Sequence, residues 1–272
     1  MSKILGIANV TSESTSSRLS FESEQRGAIS LRFLRVDEKR AYEFGITCNT
    51  CHFWFERLPD ANRTVTAETV ATKLQAGITD IEGRLVRSVL SIFPAGDYLV
   101  ALMSFTPKLV TPCIPDDYFS KEVVDLWGIE GFWGLPHYPK TEYYRTGSLV
   151  FDGREQLFEF VIPMFPHNWL KPKILADCQR ELGVRGNTTA LGLAVLDVKG
   201  PAVLNTKHEP EVTQHWCLAT FVLDGHHRIY AASQSSTPMT MLTFIAINHG
   251  ISSREQLDRV VRLLSGAPVV NS

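Results

Sequence analysis

The sequence predicts an α+β fold whose last third has α/β character. Three observations predict it. The 272 residues suffice to bury a substantial core, as one large domain or two small ones. Short apolar runs separated by charged and Asp-Gly turns mark strands through the first two thirds. From residue 189 onward, apolar strand-like runs alternate with helical stretches, the pattern of an α/β unit. The expected organisation is an N-terminal α+β portion over residues 1–140 and a C-terminal portion over residues 141–272.

Each element follows from local chemistry. Residues 11–26 are rich in Ser and Glu and are expected to be loosely packed. Residues 28–36 and 42–47 read as strands joined by the charged turn Asp37-Glu38-Lys39-Arg40. Thr66, with Glu68 close behind, is placed to cap a helix that runs through Gln75 and stops at Gly77. Asp80 is expected to cap a second helix, where Ile81, Leu85, Val86, Val89 and Leu90 recur at helical spacing. Residues 97–104 form an apolar run suited to a buried strand. Pro107, Pro112, Pro115, Pro136 and Pro139 surround one helix near residues 120–127, a loop-rich stretch suited to a domain junction or a lid. Residues 143–151 and 157–164 read as a hairpin turning at Asp152-Gly153. Residues 171–182 read as a helix stopped by Gly183. Strands are expected at 189–198, 216–223 and 239–247, and helices at 226–233 and 253–264.

Composition narrows the partners. A content of 44% hydrophobic and 21% charged residues is that of a folded globular protein. A formal net charge of -2, without any run of Lys and Arg, gives no footprint for sequence-specific nucleic acid. No apolar stretch reaches the roughly 18–20 residues needed to cross a bilayer, so no membrane partner is expected. The N-terminus begins like a signal sequence but turns polar by Thr11. Five cysteines, an odd number at wide spacing, make no disulfide framework. Together these favour a reducing cytoplasm.

The strongest functional signal is Asp224-Gly225-His226-His227-Arg228. The preceding run, Trp216 to Leu223, is nearly all apolar, as in a strand buried on both faces. Asp224 can cap the helix that follows, and Gly225 tolerates a tight turn and close ligand approach. Backbone N–H groups at a helix N-terminus attract anions. Arg228 adds a fork of donors suited to phosphate. His226 and His227 can donate to phosphate, ligate a metal or move protons. Cations in a first helical turn oppose the helix dipole, a conflict that an anionic ligand would remove.

The ten residues Leu223 to Ala232 resemble the phosphate-binding motif of the ParB/sulfiredoxin-like superfamily, which includes DNA-partition nucleotide-binding domains, sulfiredoxins and free-serine kinases. The resemblance is tight over those ten residues and loose over residues 188–248. It implies that the turn and Arg228 hold nucleotide phosphates, and that a later strand, here residues 239–247, lies beside the motif strand. Sulfiredoxins carry a Cys within the motif, whereas this turn has none, so sulfinic-acid repair is not expected. Fewer than 45 of the 272 residues follow Arg228, and a helix-turn-helix domain is not expected either.

Other constellations are less specific. Cys48-Asn49-Thr50-Cys51 has the spacing of half a zinc site, of a redox dithiol, or of two reduced cysteines beside an aromatic core. His215 and Cys217 share a strand face and could join Asp224 and His226 around a metal. Asp197 and Lys199 end the strand before the motif strand. Were the two strands neighbours, Lys199 could contact phosphate, and Asp197 could hold Mg²⁺ or act as base. The segments around Trp127-Gly128 and Pro163 to Trp169 could line a pocket or only pack.

These features lead to one expectation and one rival. The expectation is an ATP- or ADP-dependent phosphotransferase or hydrolase acting on a small molecule. Gly225, His226, His227 and Arg228 would hold phosphate, Asp224, His226 and His227 would supply catalysis, and Mg²⁺ would bridge the phosphates. The rival is a nucleotide-sensing or protein-binding module with structural Zn²⁺ at Cys48 and Cys51.

Overall fold

The computed structural model describes residues 1–59, 70–114, 116–128, 139–185, 187–204 and 210–266. The helix cap expected at Thr66, and the Gly- and Trp-rich segment beyond residue 128, lie outside the described residues. The chain opens with β1 (Lys3–Ser12), β2 (Leu19–Arg26), β3 (Ile29–Val36), β4 (Lys39–Ile46) and the short β5 (Glu56–Arg57). Helices α1 (Ala71–Ala76) and α2 (Gly83–Leu90) lead to β6 (Gly96–Phe105), β7 (Lys108–Val110) and α3 (Glu122–Trp127). The hairpin β8 (Tyr143–Phe151) and β9 (Glu155–Pro163) precedes α4 (Pro172–Arg185). The chain continues through β10 (Thr189–Lys199), β11 (Gln214–Asp224), α5 (His226–Ser235), β12 (Met239–Ala246) and α6 (Arg254–Leu264).

The fold is α+β. One mixed sheet has eight strands in the order β1-β6-β12-β10-β11-β9-β8-β7, and a second, antiparallel sheet has the order β2-β3-β4-β5. Strands from both sides of residue 140 share the larger sheet, so the division expected there runs through one hydrogen-bonded sheet. β11 pairs antiparallel with β10 and parallel with β9, while β12 pairs parallel with β10. The later strand β12 is therefore separated from the motif strand by β10.

Alternation along β10 and β11 divides the interior into layers. Leu191, Leu193, Val195, Ala219, Phe221 and Leu223 face the smaller sheet, where Tyr42 and Phe44 meet the Phe221 ring at centroid distances of 5.2 and 5.8 Å. On the other face, Ala194, Leu196, Val198 and Leu218 meet Leu257, Val260 and Leu264 of α6. Ala190 and Val222 meet Leu182 of α4 and Ile229 and Ala232 of α5. Central strands covered on both faces explain the continuous apolar runs in the sequence.

Several local expectations change. Residues 11–26 supply the end of β1 and all of β2, and their Glu residues serve a polar strand face, where Glu22 and Glu24 pair with Arg40. The N-cap of α2 is Glu82 rather than Asp80, with no side-chain cap bond. Gly183 lies inside α4, which runs on to Arg185 because packing against α5 overrides the local preference of one glycine. β1, at the sheet edge, pairs with β6 through a register shift between Ile4 and Gly6, and Leu5 and Ile7 stay exposed.

One ion pair joins the layers. Arg32 of β3 donates through Nη1 and Nη2 to the two carboxylate oxygens of Asp197 on β10, at 2.9 and 2.5 Å. The Ile251 amide donates to the same carboxylate at 2.9 Å, and Arg32 also donates to the Phe44 carbonyl at 3.0 Å. Burial alone would raise the Asp197 pKa. Attraction to Arg32, its hydrogen bonds and the nearby Lys199 outweigh burial and hold it below the ordinary carboxylate value.

Removing one member of such a pair leaves a buried charge without its partner. Asp197→Asn should lower the unfolding free energy by about 3–5 kcal/mol, and the joint change Arg32→Met with Asp197→Leu should recover most of that loss. Urea unfolding checks both. A single-variant loss below about 1 kcal/mol, the scale of an exposed pair, would show that the clamp contributes little.

Candidate phosphate-binding site

The chain leaves β11 at Asp224 and turns at Gly225, whose φ of 101° lies in the left-handed region. A Cβ there would stand 2.8 Å from the Ala190 Cβ, so only glycine meets both the conformation and the space. Gly225 itself is the N-cap of α5, and no side-chain cap bond is present. Asp224 therefore does not cap the helix; its Oδ2 accepts from Arg228 Nη2 at 2.8 Å. The Ile229 amide donates to the Gly225 carbonyl at 2.9 Å and closes the first turn. The amides before it have no carbonyl acceptor within the helix.

Parallel pairing brings a second chain segment to this turn. β9 ends beside β11, with Pro163 opposite Val222. Residues 163–171 then pass the turn, with a 3₁₀ turn at His167–Trp169, before α4 begins. A cavity of about 270 Å³ opens between the two segments, lined by Asp224 to Arg228 together with Phe165, Ile174 and Cys178. Ligands in open sheets settle in such crevices beyond strand carboxyl ends.

Both histidines hold this arrangement through their ring nitrogens. His226 Nε2 accepts from the Met164 amide at 3.0 Å, and the ring stacks on Phe165 at 3.9 Å between centroids. His227 Nε2 accepts from the Lys171 amide at 3.0 Å. A nitrogen that accepts from an amide carries no proton, so both rings are neutral here. Burial, followed by the proximity of His227 and the charge of Arg228, lowers the His226 pKa to about 3. Burial and the charges of Lys171 and Arg228 lower that of His227.

The expected conflict of three cations with the helix dipole is thus relieved within the protein. The two imidazoles stay uncharged, and Arg228 pairs with Asp224. Arg228 Nε is a buried donor without a hydrogen-bond partner among the described residues.

Pro163, Pro166 and His167 of the same segment line a larger cavity of about 640 Å³, together with Glu56, Arg57, Lys140 and Glu142. His167 is held between two groups, with Nδ1 bonded to Glu142 and Nε2 2.9 Å from the Tyr144 hydroxyl. Sequence reasoning flagged residues 163–169 only as a stretch that could line a pocket, and it missed Glu142 and Tyr144. Their spacing from His167 carries no local signal.

The other candidates lie elsewhere. β10 and β11 are neighbours, but antiparallel, so Asp197 sits opposite Cys217, roughly 20 Å along the strand from Asp224. Asp197 and Lys199 are engaged with Arg32 and the Cys48 carbonyl, respectively. His215 and Cys217 share that far end and do not meet Asp224 or His226. His215 Nδ1 instead bonds the Tyr118 hydroxyl at 2.8 Å. Cys48 and Cys51 lie near Lys199, and among the described residues no group of three or more His, Cys, Asp and Glu side chains is arranged to hold a metal ion. No described helix is long and apolar enough to cross a membrane.

Comparisons with protein-family models, with curated proteins and with solved structures give no match.

The buried neutral histidines set a pH dependence. Both His226 and His215 fall from an ordinary 6.5 to about 3 on folding. Between these values the unfolded chain binds more protons than the folded one, so stability is lost as pH falls from about 6.5. Each histidine contributes a slope of up to about 1.4 kcal/mol per pH unit. Urea midpoints measured from pH 7 to pH 4 should fall accordingly, and His226→Gln should flatten the curve. An unchanged pH profile in that variant would contradict a buried neutral His226.

Proposed function

We propose that the protein binds a nucleoside di- or triphosphate at the Asp224–Arg228 turn, and that it uses the nucleotide to act on a small molecule by phosphoryl transfer or hydrolysis. The observation that carries this reading is the buried, unpartnered Arg228 Nε beside the helix N-terminus that opens on the 270 Å³ cavity. The amides of the first turn and the Arg228 guanidinium would hold phosphate oxygens. The likeness of Leu223 to Ala232 to the ParB/sulfiredoxin-like motif supports the same role.

Asp224 is the carboxylate on the wall of this cavity, and it is the residue that would hold Mg²⁺ through water. A Mg²⁺ held mainly by phosphates and water needs no more than one or two protein carboxylates. The 640 Å³ cavity is large enough for a small substrate, and the Glu142–His167–Tyr144 chain of hydrogen bonds on its wall would position it. Positioning and charge neutralisation carry most of phosphoryl transfer, so this modest set suffices.

The engaged Nε2 atoms of His226 and His227 favour a supporting role for both rings. They also keep a second reading open, in which nucleotide is bound and sensed without turnover. Thermal shift and calorimetry with MgADP and MgATP, alongside phosphate release, separate the two. Binding is expected, and Arg228→Ala should weaken it roughly ten- to a hundredfold, the worth of hydrogen bonds to a charged group. Binding without turnover across a panel of hydroxyl compounds selects the sensor. Absence of binding by the parent protein sinks the nucleotide reading.

A further inference from the structure

At the opposite end of β10 and β11, the Cys48–Cys51 turn is held in an arrangement that the phosphate site does not use. The two sulfurs are 2.8 Å apart, with the Cys51 thiol donating to Cys48. Thr50 Oγ1 lies 3.1 Å from the same Cys48 sulfur. Three successive carbonyls of the turn accept bonds from outside it: Cys48 from Lys199 Nζ at 2.5 Å, Asn49 from the Gly200 amide at 2.9 Å, and Thr50 from Trp127 Nε1 at 2.9 Å. Such fixation from two separate elements keeps the sulfurs together in the reduced state. Closing to the ~2.05 Å of a disulfide bond needs less than about 1 Å of movement.

We infer that Cys48 and Cys51 form a reversible dithiol–disulfide couple that exchanges with low-molecular-weight disulfides, Cys48 attacking and Cys51 resolving. Both sulfurs are partly exposed, whereas Cys178 and Cys217 are buried. Burial would raise the Cys48 thiol, but hydrogen bonds from Cys51 and Thr50 outweigh it and bring it below its ordinary value. Burial, and then the hydrogen bond to Cys48, push Cys51 up to about 11. This asymmetry suits an attacking and a resolving thiol.

The exchange balances. The Cys48 thiolate attacks one sulfur of a disulfide RSSR, forming Cys48–S–S–R and expelling RS⁻. Cys51 gives its proton to solvent, and its thiolate attacks the Cys48 sulfur and expels a second RS⁻. The pair loses two electrons and two protons, and the small disulfide leaves as two thiols. A small dithiol reverses the reaction.

The full chain, first reduced, is incubated with a graded series of reduced and oxidised glutathione, quenched with an alkylating agent and mapped by mass spectrometry. The expected result is one two-electron transition that joins Cys48 to Cys51, accompanied by a change in Trp127 fluorescence. Cys51→Ser should accumulate the Cys48–glutathione mixed disulfide, and Cys48→Ser should lose the intramolecular product while staying folded by circular dichroism. Cys113, the exposed cysteine, is the internal control. The idea is overturned if all five thiols remain alkylable, if Cys113 is oxidised ahead of the pair, or if the purified protein holds stoichiometric zinc on these two sulfurs.

Discussion

β11 runs about 33 Å from Gln214 to Asp224, and its two neighbours oppose each other in direction. Parallel pairing with β9 brings two strand ends and the starts of α4 and α5 to one edge of the sheet. Antiparallel pairing with β10 carries Asp197 and Lys199 to the other edge. The hydrogen-bond ladder thereby sorts the polar side chains of the core into two separate groups. One surrounds a helix N-terminus and a cavity, and the other ties the smaller sheet and the Cys48 turn to the larger sheet. Charges that stand within 30 residues of each other in sequence end up a strand length apart.

At the first edge, the histidines do structural work that makes the turn stiff. Each accepts a backbone amide from the segment after β9, so two loops that carry no mutual ladder bonds are nonetheless fastened together. Neutral rings also leave the local field to Arg228, Asp224 and the helix dipole. A ligand proposed for this turn would be recognised by charge and shape through fixed amides and one guanidinium, with little asked of mobile side chains.

Much of this was legible in the sequence, and the limits have physical reasons. The strands β3, β4, β6 and β8 to β12 declared themselves by apolar runs and turn residues, and burial is nearly continuous along β6 and β9 to β12. β2 did not, since Leu19 and Phe21 are its only apolar residues and its other face is charged, while its place is set by the ladder with β3. The turn at Gly225 was readable because its backbone conformation admits little else. The use of His226 and His227 was not, since it depends on a loop some sixty residues away that only strand pairing brings near. Asp197 was placed beside the wrong partners because neighbouring strands can run either way, and the sequence of β10 is the same in both cases. The Cys48 turn was visible as a spacing, yet its clamps come from Lys199, Gly200 and Trp127, which no local pattern connects to it.

The edge strand β1 carries a last consequence. Leu5 and Ile7 stand exposed on a strand whose outer rim has no neighbour in the sheet among the described residues, a combination that invites a strand from another molecule. The shift of register between Ile4 and Gly6 sets Lys3–Ile4 off from Gly6–Ser12, so the rim does not present one line of amides and carbonyls. A visiting strand could follow one length but not both. The irregularity at Leu5 thus shortens the line of backbone groups open to another strand, where hydrophobic composition alone would leave the whole of β1 available.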